Sequence, residues 1–206
     1  MTMALMLAWT TSSPAAPAHD ANALIASLGR PAPARTSFAE ARFSSVLDKP
    51  LVSSGELAWL GQDKLERRVD APRKETATIA DDKVTQTREG KSPRSFSLSR
   101  APQLKVLLDS FVALLGGDAS RLAEAFTVQL NRDGEHWSLA LTPTDAKVAK
   151  QISRIVVDGL GNEPRCMRME EGDGDVAIDL LGPLAAKMPA EPTRDGLVAL
   201  CAGTAP

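Results

Sequence analysis

The side chains with the most chemistry to offer are few: two histidines, two cysteines and some short runs of like charge. Four histidines and cysteines in all nearly exclude a multi-ligand metal site on ingredients alone. Cys166 and Cys201 can pair in an oxidising compartment, which would stabilise the fold by roughly 3–4 kcal/mol in the chain-entropy model. They serve equally well as two separate small apolar side chains, and their spacing does not decide between the two. His136, beside Trp137 at a strand start, has no partner pattern and reads as an exposed edge residue. Asp81-Asp82 and Glu170-Glu171 fall in turns, where solvated carboxylates are expected. Gly116-Gly117 follows a helix, and Gly159-x-Gly161 lacks both a third glycine and a following helix, so neither is a phosphate-cradling loop. No nucleophile can be matched with a base. The expectation is therefore a non-enzyme with no catalytic residue, cofactor or metal. The densest charge is Arg67, Arg68, Arg73 and Lys74, either a solvated strand face or a dock for an anionic headgroup or acidic partner.

Composition narrows the partners further. The chain has 206 residues, 43% hydrophobic and 24% charged, with a formal net charge of −2. That is a globular balance, too weakly charged for nucleic acid or an anionic membrane as the main partner. Tyrosine is absent and aromatics make up only 4%, which argues against base stacking. Met3 to Trp9 is apolar but too short to span a bilayer as a helix. With Ala16-Pro17-Ala18 as a small-residue cleavage site, it reads as an export signal over residues 1–18 and implies a periplasmic protein. No Lys or Arg precedes the run, so the alternatives are a start internal to a longer leader or a plain tail.

The rest reads as one domain over residues 19–181 and a tail over 182–206. His19 to Leu28 is a short helix with Leu24, Ile25 and Leu28 on one face, stopped by Gly29. Extended segments follow: Phe38–Leu47, with Ala41, Phe43 and Leu47 opposite Glu40 and Arg42; then Glu56–Leu60 after a turn at Pro50 to Gly55; then Leu65–Val69. Thr76–Ala80 and Val84–Arg88 form a hairpin across Asp81-Asp82-Lys83. Pro102 opens a helix in which Leu104, Leu107, Leu108, Phe111 and Leu115 recur at helical spacing. A second short helix runs from Asp118 to about Glu124. Strands resume at Phe126–Leu130, Trp137–Leu141, Ile152–Asp158, Arg165–Glu170 and Asp175–Leu181, with a helical turn at Ala146–Lys150. About ten antiparallel strands curl strongly and need a cover, for which the helix at Gln103–Leu115 is the candidate. The segment after Gly182 loses periodicity and is expected to be loosely attached unless Cys201 anchors it.

Several short motifs occur in an order that resembles a known family. They are Phe38-Ala-Glu40-x-Arg42, Pro50-Leu51-x-x-Ser54-Gly55-x-Leu57, Leu65-Glu66-Arg67 leading to Pro72, and Thr78-Ile79. Gly116-Gly117-Asp118, Trp137-x-Leu139-x-Leu141-x-Pro143, Ile152 to Gly159 and Gly172-Asp173-x-Asp175 continue the series. Over Phe38 to Leu181 the chain resembles the LolA-like outer-membrane lipoprotein carriers, in a divergent branch. The resemblance implies a mainly β fold, a half-open antiparallel barrel whose helical lid covers an apolar cavity. It implies a monomeric carrier that ferries acylated cargo across the periplasm between inner- and outer-membrane proteins. The best-known members latch the lid with an arginine just before a proline; here that position falls near Gly61-Gln62, so the latch is not carried over. The cargo is then lipoprotein acyl chains or a lipid-linked or polyene product. The expected cavity lining is Phe43, Leu57, Trp59, Leu104, Leu107, Leu108 and Phe111. The alternative is a periplasmic interaction or sensor module that uses the same fold to bind a protein.

Overall fold

A computed structural model describes residues 18–204, so the expected leader lies, apart from Ala18, outside the described residues. Helix α1 (Ala18–Leu28) leads into a meander: β1 (Ala34–Phe43), β2 (Leu51–Gly61), β3 (Lys64–Ala71), β4 (Glu75–Ala80), β5 (Lys83–Arg88) and β6 (Arg94–Ser97). A 3-10 turn (Leu98–Arg100) joins it to α2 (Pro102–Leu115) and α3 (Ala119–Ala125). The second meander is β7 (Phe126–Asp133), β8 (His136–Pro143), α4 (Ala146–Ala149), β9 (Ile152–Leu160), β10 (Glu163–Glu171) and β11 (Val176–Leu181). All eleven strands form one antiparallel sheet in the order β6-β5-β4-β3-β2-β1-β11-β10-β9-β8-β7. The sheet is open, because β6 and β7 are its edges. The two meanders join through β1 and β11, with Phe38 opposite Leu181 and Phe43 opposite Val176.

Three strand assignments differ from expectation. β1 begins four residues earlier, at Ala34, and stops at Phe43 instead of Leu47. β2 begins at Leu51 and absorbs most of the expected turn. The register slips between Ser54 and Gly55, where a Cβ on Gly55 would stand 1.8 Å from the Arg68 carbonyl oxygen. Only glycine fits so close a backbone. β6 was not anticipated; its four residues carry one apolar side chain, Phe96, and so no period.

Alternation sorts the side chains into two packed layers. On one face α1, α2 and α3 cover Trp137, Leu139, Leu141, Ile155, Val157, Met167 and Met169 of β8 to β10. On the other, Ala41, Phe43, Cys166, Val176, Ile178 and Leu180 lie under the C-terminal segment. The helix termini of the first layer meet closely: the Arg30 amide donates to the Leu115 carbonyl at 3.0 Å, and Gly117 takes φ +70° beside Ala26.

The C-terminal segment is anchored. A 3-10 turn (Gly182–Lys187) and α5 (Arg194–Cys201) bury Leu184 and Leu197, and Cys201 is disulfide-bonded to Cys166 on β10. Gly203, just beyond α5, rests beside His136, which is half-buried instead of an exposed edge residue. Gly159 shows how tightly β8 and β9 pack, since a Cβ there would lie 2.1 Å from Trp137 Cζ2. Trp137 cannot simply yield, because it is buried and its Nε1 donates to the Gly161 carbonyl at 2.7 Å. Gly159→Ala is therefore expected to cost about 2–3 kcal/mol by overpacking. Urea unfolding checks this, and an unchanged midpoint would show that the indole has room.

Candidate functional site

α2 spans the molecule in a way that depends on the curl of the sheet. Its start is pinned to the β4–β5 turn, where Lys105 Nζ donates to Asp82 Oδ1 at 2.7 Å. Its other end packs with α1 and α3, which lie on edge strand β7. β5 and β7 are nine steps apart in strand order, about 43 Å on a flat sheet. A helix of 14 residues is only about 21 Å long. The sheet must therefore curl around a concave, helix-facing side. Asp81 and Asp82 adopt φ of 52° and 58° in the two-residue turn, so one of the turn's carboxylates holds the helix instead of merely meeting water.

Register fixes which side chains face that concavity. One row crosses five strands: Trp59, Leu65, Ile79, Val84 and Phe96. All five are apolar, and none belongs to either packed layer. Phe96 is 42% exposed, Trp59 and Ile79 are half-buried, and Leu65 and Val84 are buried. The next row is mixed and runs Leu57, Arg67, Ala77, Gln86, Arg94, its charged members being Arg67 and Arg94. Beyond it lie Val69, Glu75 and Arg88. The concave face of β2 to β6 is thus apolar at the end where α2 begins and charged at the other.

The expected lining residues divide accordingly. Leu57 and Trp59 face the concavity, and Trp59 Nε1 donates to the Gln62 carbonyl at 2.9 Å. Leu104, Leu107 and Phe111 of α2 pack with the helix layer, whereas Leu108 is half-buried and joins neither layer. Phe43 is the exception: it packs on the opposite face against the residues beneath α5. The apolar alternation of Ala41 and Phe43 marks the side of β1 under α5, and the concave side carries Phe38, Glu40 and Arg42. The four basic residues do not share a face either. Arg67 points into the concavity and Arg68 away from it, pairing with Glu56 at 3.4 Å and Asp70 at 3.1 Å. Arg73 and Lys74 are exposed on the β3–β4 turn.

A polar cluster in the concavity was not foreseen. Glu40 on β1 stands opposite Asp179 on β11. Arg67 Nη2 donates to Glu40 Oε2 at 3.1 Å and Ser53 Oγ at 3.3 Å, while its guanidinium lies 4.5 Å from the centre of the Phe38 ring. Asp179 is 5% exposed, and burial and then the Glu40 charge push its carboxyl up to about 8, with Arg67 acting against them. At neutral pH Asp179 therefore keeps its proton, and the cluster of one cation and one anion is close to neutral. The signal was present in the sequence as Asp179 among Ile178, Leu180 and Leu181, an acidic residue inside an apolar strand.

The charged end of the concave face opens into a cleft of about 760 Å³ lined by residues of β3 to β6 and their loops, among them Arg73, Lys74, Arg88, Lys91 and Arg94. Burial alone would raise the Glu75 carboxyl there, but hydrogen bonds from Arg88 and Gln86, with the charges of Arg88 and Arg67, hold it below the usual range. A family model described as outer membrane lipoprotein carrier protein LolA-like matches residues 13–204. No curated protein matches the chain. Among solved structures it is similar to a LolA superfamily protein from Nitrosomonas europaea, at 12% identity over 82% of this chain and 92% of that one, with a TM-score of 0.43. It is also similar to a putative outer membrane lipoprotein-sorting protein domain from Vibrio parahaemolyticus (12% identity, 89% and 97% covered, TM-score 0.40). A third likeness is to the Pseudomonas aeruginosa MucA/MucB complex (13% identity, 86% and 60% covered, TM-score 0.40).

Proposed function

The chain belongs to the outer membrane lipoprotein carrier protein LolA-like family, and from that premise we propose that it is a non-enzymatic periplasmic carrier of acylated cargo. The acyl or polyene chain lies between α2 and the concave face of β2 to β6 and is handed toward the outer membrane. The observation that carries this reading is the apolar row Trp59, Leu65, Ile79, Val84 and Phe96, which no packed layer claims. An acyl chain moved through water exposes methylenes at about 0.8 kcal/mol each, and such a row shields several of them. The hand-over needs release as well as shelter. A concavity open along β6, with α2 tied to the sheet's β4–β5 turn through the exposed Lys105–Asp82 pair, suits both.

Mass spectrometry of lipid extracted from the protein purified from its native periplasm tests this reading. A stoichiometric acyl or polyene species supports it. Leu108→Glu is the sharper arm, because Leu108 lies outside both packed layers, and circular dichroism of the variant checks that it folds. Bound lipid should fall at least about tenfold in that variant, a change of ~1.4 kcal/mol or more in affinity. A folded variant with undiminished lipid would overturn the assignment. An empty wild-type protein that captures one envelope protein in a salt-sensitive manner would replace it with the interaction-module reading.

A further inference from the structure

The concave face is amphipathic, and its charged end is not balanced by the protein itself. Within the lining Arg88 pairs with Glu75 at 2.6 Å, and Asp70 pairs at 3.1 Å with Arg68, which lies outside the lining and also meets Glu56. Arg73, Lys74, Lys91 and Arg94 also line the cleft, and none of them enters an ion pair among the described residues. One carboxylate of the lining, Glu89, likewise stands outside those pairs. The cavity of about 760 Å³ is therefore lined by five cations, Arg73, Lys74, Arg88, Lys91 and Arg94, against three carboxylates, Asp70, Glu75 and Glu89, and keeps an excess of positive charge. The cavity is continuous with the concave face, since Glu75, Gln86, Arg88 and Arg94 belong to its charged rows. Val84 of the apolar row and Arg88 of the cleft are four residues apart on β5, about 13 Å along one face of one strand.

Resting on the carrier reading, we propose that this cleft binds the anionic, phosphate-bearing headgroup of a lipid whose chain lies on the apolar row. Arginine and lysine at the rim match phosphate oxygens with charge-assisted hydrogen bonds. The separation of the two ends suits a single-molecule amphiphile better than two unrelated ligands. Between the two ends lies the row of Leu57, Arg67, Ala77 and Gln86, in which Arg67 is already held by Glu40 at 3.1 Å. The recognised class is thus a phospholipid-like or polyprenyl-phosphate-like molecule, not a neutral glyceride.

The test compares dodecyl phosphate with an uncharged dodecyl glycoside by displacement of a fluorescent apolar probe. Wild-type protein should bind the phosphate at least about tenfold tighter, and Arg73→Glu, Lys74→Glu, Lys91→Glu and Arg94→Glu together should erase that preference without weakening the glycoside. All four positions are exposed, and an unchanged melting temperature confirms that the variant is folded. Equal binding of both amphiphiles by wild type overturns the headgroup site while leaving the carrier reading standing. Failure to bind either one overturns the carrier reading itself. Inorganic phosphate or a glutamate-rich peptide binding as tightly as dodecyl phosphate assigns the cleft to a free anion or an acidic protein instead, and overturns the lipid.

Discussion

Replacing Cys166 and Cys201 together by alanine is expected to lower stability by about 4 kcal/mol, the chain-entropy value for the loop they close. For a chain of this size that is a fall in melting temperature of roughly 8–16 °C. The bond joins the end of α5 to the middle of β10, with a Cα–Cα distance of 5.7 Å. Leu184 and Leu197 still bury apolar surface without it, so the segment should stay docked at low temperature and open first on heating. Calorimetry of the variant, and of wild type with and without reductant, measures the effect. Limited proteolysis between Lys187 and Thr193 should report the early opening. A melting temperature that reductant leaves unmoved would show that packing alone holds the C-terminal segment.

That bond also marks the boundary of what was legible beforehand. A regular alternation of apolar residues identified most strands of the second meander, and a wide apolar stripe with Pro102 and Gly116 at its ends identified α2. Both are local signals. The pairing of Cys166 with Cys201 is not local: it depends on α5 packing over β11, and the short stripe Leu197, Val198, Leu200 and Cys201 after Thr193, which does have a helical period, does not say which strand it meets. β1 misled for a related reason. Its apolar alternation of Ala41 and Phe43 is real, but it serves the layer under α5. The concave side of the same strand is Phe38, Glu40 and Arg42, which reads as solvent-facing until β11 is placed beside it and Arg67 of β3 reaches Glu40 across β2. A strand covered on both faces has two inward sides, and hydrophobic pattern reveals only the drier one. The same ambiguity made Arg67 and Arg68 look like one patch, although strand geometry sends neighbours to opposite faces.

Asp179→Asn is the second change expected to have a large effect, and the effect depends on pH. In the unfolded chain the carboxyl has its ordinary value of 3.8, and in the folded protein it is pushed up to about 8. Below pH 3.8 both states hold the proton, so the site contributes no difference. As pH rises toward about 8 only the unfolded state releases it, and stability falls along the way. Asparagine cannot ionise in either state and removes that loss. The variant should thus match wild type near pH 4 and exceed it by several kcal/mol near pH 9, at about 1.4 kcal/mol per unit of separation. Glu40→Gln should act in the same direction by removing the neighbouring anion, and Arg67→Met in the opposite one by removing the cation. Urea unfolding across pH 4–9 measures all three, and carbon NMR of the Asp179 carboxyl reads the titration directly. An Asp179 value near 4 in the folded protein would refute the argument, because it would mean that water or the Arg67 charge offsets the burial. The consequence for the proposed carrier function is physical. A protonated Asp179 leaves Glu40 and Arg67 to neutralise each other, so this cluster adds no net charge to the wall along which the proposed acyl chain would lie. Ionising Asp179 places an uncompensated anion on that wall. Asp179→Asn is accordingly expected to retain acyl-probe binding at pH 9, where wild type weakens.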